Sequence, residues 1–155
     1  MSEVPWRQSA GELAALIAKR EVSSRAVIEA HLERISAVNP QINAMPVVLE
    51  REALATADAV DRAIAKGERG GPLHGVPLSI TANIDLLGSP TTNAVPMMAQ
   101  AMPTLDHPIV ERMKVAGAIP IGRTNMPDMG LRLHTDSALY GLTRNPWHLT
   151  TTVCC

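Results

Sequence analysis

The sequence predicts an α/β fold: N-terminal helices followed by part of a mixed β-sheet covered by helices. Two observations predict it. The first third of the chain carries apolar residues at helical spacing, and from Gly67 onward short apolar, strand-like runs alternate with helical ones. Only three or four strands can be counted, against about five or six in a sheet of average size. The chain therefore reads as part of a larger sheet.

The elements follow in order. Ser9 and Glu12 have capping-box spacing, and Leu13, Leu16 and Ile17 form one apolar face, so a helix is expected to about Arg20. A second helix starts near Ser23 or Ser24. Its apolar face recurs through Val27, Ile28, His31, Leu32, Ile35 and Val38, and Asn39-Pro40 is expected to stop it. Ile42 to Val48, interrupted by Pro46, reads as a weak or edge strand. A third helix is expected over Glu50 to Lys66, closed by Gly67. The segment GERGGPLHGVP is a turn-bearing loop, and Val76–Ile80 and Ile84–Leu87 are strand-like. Residues 88–107 hold three prolines and no period, so they read as irregular chain. Pro108 opens a fourth helix and Gly117 follows its last turn. Ala118–Ile121 is a short buried strand, Gly122–Pro127 a turn, and Asp128–Leu133 the start of another helix. The Thr-rich end, 149–155, reads as a disordered tail. No repeat or linker divides the 155 residues, so one domain is expected.

Composition narrows the function. There is no Phe, one Tyr and two Trp, so the core rests on Leu, Ile, Val, Met and Ala. With 14 basic and 15 acidic residues, the chain does not suit a nucleic-acid binder held by bulk charge. No apolar run approaches the roughly 20 residues of a membrane span, and no secretory leader is visible. The only cysteines, Cys154 and Cys155, are adjacent, which excludes a disulfide framework and suggests a reducing, cytoplasmic compartment. His31, His74, His107, His134 and His148 show no metal-ligand spacing, and no phosphate loop or dinucleotide fingerprint is present, so no metal and no cofactor is expected.

Three blocks carry a resemblance. GGPLHGVPLSITANIDLLGSPTT, VERMKVAGAIPIGRTNMPD and YGLTRNPW occur in that order between Gly70 and Trp147. Together they resemble the N-terminal part of the amidase signature family. That family's pattern runs G-P-L-x-G-V-P-x-x-x-K-D-N-x-D-x-x-G-x-x-T-T, then A-G-A-x-x-x-G-K-T-N, then Y-G-x-T-x-N-P-W. The resemblance covers about residues 9–148 and implies an incomplete amidase signature fold, 1–155 being the N-terminal portion of one domain. It also implies hydrolysis or transfer of carboxamide acyl groups by a Ser–cis-Ser–Lys triad. A serine hydroxyl needs a base, and a lysine whose pKa is lowered by burial can supply one.

Two departures from the family pattern bear on chemistry. Thr81 occupies the lysine position and Ala82 the following aspartate position, with Asn83 and Asp85 in register. Both family serines are expected beyond Cys155. No catalytic residue is therefore expected intact, and the isolated chain is expected to be inactive. Thr81 and Ser79 lie on one face of a strand, and without a base two hydroxyls do little near neutral pH; His74 is the nearest candidate base in sequence. Ser79, Asn83, Thr124 and Asn125 are expected to line a cleft, and Arg123 replaces the family lysine of G-K-T-N. The implied ligand is a small-molecule amide. Alternatives are a catalytically dead binding or partner protein and a component of an amidotransferase that delivers ammonia to an acylated tRNA. Neither nucleic acid nor membrane is an expected partner, whereas a homodimer through an exposed sheet edge is.

Overall fold

The computed structural model describes residues 4–68 and 70–153. Helix α1 spans Ala10–Ala18, α2 Ser24–Ile42, α3 Glu50–Ala65 and α4 Pro108–Val115. Strands are β1 Val47–Val48, β2 Pro77–Thr81, β3 Ile119–Thr124, β4 Asp136–Ser137, β5 Gly141–Leu142, β6 Arg144–Asn145 and β7 His148–Thr152. The expected α/β class is observed.

Contacts group the chain into two interleaved units. One comprises the described residues of Met1–Ser36, Leu49–Leu78 and Glu111–Ile121; the other those of Ala37–Val48, Ser79–Val110 and Gly122–Cys155. The first unit is built on Leu13, Ile17, Val27 and Val76, with Ala14, Val22, Ile64 and Leu73 packed against them. The second has a smaller cluster of Ala82, Ala94 and Met126 with Tyr140.

In the first unit the expected capping box is present. Ser9 Oγ accepts the Glu12 N–H at 3.3 Å, and Glu12 Oε2 accepts the Ser9 N–H at 2.7 Å. Helix α1 ends at Ala18 rather than Arg20, because Arg20 is left-handed (φ 61°) and its N–H bonds Ile17 O while Glu21 N–H bonds Leu16 O. That pair of bonds is a Schellman closure. Helices α3 and α4 close in the same way at Gly67 and Gly117. The start of α2 is capped by Asp61, whose carboxylate accepts the Ser24 and Arg25 N–H groups at 2.8 and 3.0 Å.

Several expectations change. Helix α2 continues through Pro40 to Ile42. Pro40 lies in the last turn, so its missing N–H removes one hydrogen bond at the end rather than mid-helix. Asn39 then fixes the exit, its side chain bonding both the N–H and the carbonyl of Met45 at 2.8 Å. Ile84–Leu87 is a turn, not a strand: Ile84 N–H bonds Thr81 O, and Leu87 N–H bonds the Asp106 carboxylate. Leu86 is buried there at 3% exposure, so its hydrophobicity serves an anchor rather than a ladder.

Strand β3 extends past Ile121 to Thr124, where a turn was expected. Gly122 permits this, because a Cβ there would stand 2.7 Å from Val47 O and 2.3 Å from Met45 Sδ. Its missing side chain lets β1 lie against β3, with Val48 opposite Gly122 and Val47 opposite Arg123, antiparallel. The sheet order is β1-β3-β2. Ile119 N–H bonds Val76 O and Ala82 N–H bonds Thr124 O, so β2 and β3 advance together in parallel. The expected mixed sheet is thus present, with β1 at an edge.

The helix expected from Asp128 is a single 3-10 turn, Asp128–Gly130, because Met129 adopts φ 53°. Residues 149–152, expected as tail, belong to β7, which pairs antiparallel with β6. β-branched threonines suit that ribbon, and Thr152 Oγ1 bonds Thr143 O at 2.8 Å. Cys154 and Cys155 lie outside the described residues. No helix is long and apolar enough to cross a membrane among the described residues.

Candidate functional site

Strands β2 and β3 end together in the second unit, and their ends carry the residues singled out from the sequence. Thr81 and Thr124 are half-buried, and Thr124 Oγ1 donates to Thr81 Oγ1 at 3.3 Å. The hydroxyl at residue 81 therefore meets another hydroxyl. Neither group takes a proton near neutral pH, so the pair cannot generate an alkoxide. Ser79 and Asn83 are exposed and do not enter this network.

Asn125 is the hub behind the pair. Its Nδ2 donates to Gly141 O and Thr143 Oγ1, both at 2.9 Å. Its Oδ1 accepts from Met126 N at 2.9 Å and Ser137 Oγ at 3.3 Å, and its backbone N–H bonds Ala44 O. Both amide donors and both acceptor positions are used internally, so Asn125 braces the loop instead of presenting a free amide to a ligand.

Sequence reasoning missed Asn43, Thr92, Tyr140 and Thr143 as members of this network. Asn43 Nδ2 donates to Tyr140 O at 2.7 Å, and Thr143 Oγ1 donates to Asn43 O at 2.7 Å. The Tyr140 hydroxyl donates to Thr92 Oγ1 at 3.1 Å. Tyr140 and Thr143 lie in the Y-G-x-T block, whose fixed spacing was the available signal. Asn93 and Ala94, at φ 46° and 59°, are consecutive left-handed residues without glycine. Such positions cost about 1–3 kcal/mol each unless the surroundings hold them. Here Asn93 N–H bonds Ala82 O, and Ala94 N–H bonds Thr92 Oγ1. A strained segment is thus pinned beside residue 82.

Arg123, on β3, is 1% exposed. Its Nη2 donates to Ile84 O at 2.8 Å, which ties β3 to the turn that follows β2. Burial pushes its pKa down, and the neighbouring Tyr140 and Asp85 oppose that push. His74, the sequence's candidate base, belongs to the first unit, where a Cβ on Gly70 would collide with its ring. Among the described residues, no group of three His, Cys, Asp or Glu could hold a metal ion.

A profile of the Amidase family matches residues 26–155. The chain belongs to the amidase family. It is 46% identical over 142 residues to an indoleacetamide hydrolase from Bradyrhizobium diazoefficiens, covering 92% of this chain and 27% of that one. It is 43% identical to one subunit of the glutamyl-tRNA(Gln) amidotransferase from Acidothermus cellulolyticus, covering 92% and 28%. Among solved structures, a bacterial aryl acylamidase of the amidase signature enzymes superposes with a TM-score of 0.86 at 29% identity, covering 92% of this chain and 30% of the acylamidase. The chain thus spans less than a third of the length of these relatives. The fold is a partial amidase fold.

Proposed function

We propose that this chain supplies the N-terminal wall of an amidase-type active site and does not itself hydrolyse amides. The reading rests on one observation, the Thr81–Thr124 hydroxyl contact. By the family pattern, residue 81 would carry the basic amine. Acyl transfer from a carboxamide needs a nucleophile, a base that takes its proton, and donors for the developing oxyanion. At residue 81 this chain offers a hydroxyl in place of the base, and we assign both serines to chain further along the whole protein.

The substrate class of the whole protein is a small carboxamide. The name of one relative, an indoleacetamide hydrolase, supplies an example of that class. The proposed working place is the cytoplasm. Purified chain incubated with indole-3-acetamide, benzamide and an aryl anilide is expected to release no product above the blank. Turnover abolished by a serine-directed phosphonate would overturn the proposal.

A second reading is supported by Ala82, buried at 1% beside the pinned Asn93–Ala94 segment. The framework persists around two adjacent positions where the family's ionisable residues are replaced. That combination suits a protein retained for binding an amide or a partner. Saturable calorimetric binding of an amide without turnover would support it, and the absence of any heat across the same amides would remove it.

A further inference from the structure

Arg123 is the largest fully buried side chain among the described residues. Its Nη2 is used by Ile84 O, but Nε and Nη1 meet no acceptor there. Whichever Nη2 hydrogen Ile84 takes, the other stands parallel to an N–H of Nε or of Nη1. One two-pronged edge of the guanidinium is therefore open. A guanidinium does not lose its proton in proteins, and buried charges are normally paired. An open, buried fork is matched by a carboxylate.

The sheet indicates where that carboxylate would stand. Thr81 and Thr124 touch through their side chains, so on these neighbouring parallel strands they share one face. Ala82 opens the turn after β2 and its N–H bonds Thr124 O, and Arg123 Nη2 bonds Ile84 O of the same turn, so both residues border that turn. Ala82 packs against Ala94, Met126 and Tyr140, and Tyr140 and Asp85 both act electrostatically on Arg123, although the Asp85 carboxylate is no hydrogen-bond partner of Nε or Nη1. Ala82 contributes only a methyl to this region.

We propose that Arg123, Ala82 and Tyr140 form a carboxylate-receiving position in which the open edge of Arg123 binds a small carboxylate beside the Ala82 methyl. In this chain the carboxylate comes from solution; an aspartate at residue 82 would supply it from its own side chain. This concerns binding alone and stands apart from the hydrolytic reading, because its readout is stability.

The test is urea unfolding of wild type, A82D, R123M and the double variant. All are measured at one protein concentration and pH 7, in sodium chloride and in sodium formate of equal ionic strength. Ala82→Asp is expected to raise the unfolding midpoint when Arg123 is present and to lower it when residue 123 is Met. Formate is expected to raise the wild-type midpoint above its chloride value and to leave A82D unmoved. A gain from A82D without a formate response would overturn the solution-carboxylate site and assign the carboxylate to the polypeptide alone. Should R123M fail to fold, the formate comparison of wild type with A82D still decides. A82D lowering the midpoint together with a formate effect that A82D does not abolish would overturn the proposal.

Discussion

Asn125 shows how one side chain sets the local geometry of the second unit. It joins the end of β3 to the 137–143 segment through three side-chain hydrogen bonds and accepts a fourth from the Met126 N–H. Each such bond contributes about 1 kcal/mol net, and buried partners left unpaired cost more. Asn125→Ala is expected to destabilise the chain by about 2–4 kcal/mol, read as a lower urea midpoint; a loss below about 0.5 kcal/mol would show that the hub carries no weight. Glu12 gives a pH signature. The Ser9 backbone N–H, followed by the Ser9 hydroxyl, lowers its pKa below 4.5. A depressed carboxylate pKa stabilises the fold above the unfolded value, and that stability is lost as pH falls through the lower folded value. The stability gap between wild type and E12Q is therefore expected to narrow as pH falls below 4.5 and to widen above it. A constant gap across the titration would contradict this.

At the scale of elements, β1 lies against β3 because residue 122 has no side chain. Gly122→Ala would bring a methyl against the Val47 carbonyl, which is backbone and cannot swing away. The expected loss is about 1–3 kcal/mol, with exchange of the Val47–Val48 amides speeding more than exchange in α3. Equal protection in both would show that the sheet tolerates the methyl. The elements legible in the sequence were those whose signals are local. The Ser9–Glu12 box, the α3 face ending at Gly67 and the Pro108 start of α4 rest on residues within one turn of each other. The misread elements depend on distant partners. Leu86 looks like a strand residue but anchors a turn, and Gly122 looks like a turn residue but marks close strand contact. Pro40 ends a helix in isolation, yet Asn39's bonds to Met45 hold two more residues helical. The candidate site divides in the same way. Thr81, Ala82, Thr124 and Asn125 were found from motif spacing. Asn43, 100 positions from Thr143, could not be, since its contact exists only in the folded second unit.

For the molecule as a whole, the exposed apolar residues are numerous for so short a chain. In the second unit Met97 is 95% exposed, Trp147 94%, Leu131 84% and Leu133 81%. Relatives of more than three times the length have further chain that could cover such surface. The isolated chain is expected to self-associate, and sedimentation velocity should show dimers or larger species that grow with concentration. A concentration-independent monomer with a sharp melt would contradict that. The central claim is that Thr81 and Ala82 replace the chemistry of an otherwise intact amidase wall. The measurement that tests it most directly is an activity assay on a chimera, with residues 26–153 grafted into the Bradyrhizobium hydrolase in place of its matching segment. The folded chimera is predicted to be inactive on indole-3-acetamide, and Thr81→Lys with Ala82→Asp is predicted to restore hydrolysis by at least about 100-fold, the usual contribution of a positioned base. A chimera that turns over without those changes, or one that stays folded and dead with them, would contradict the account.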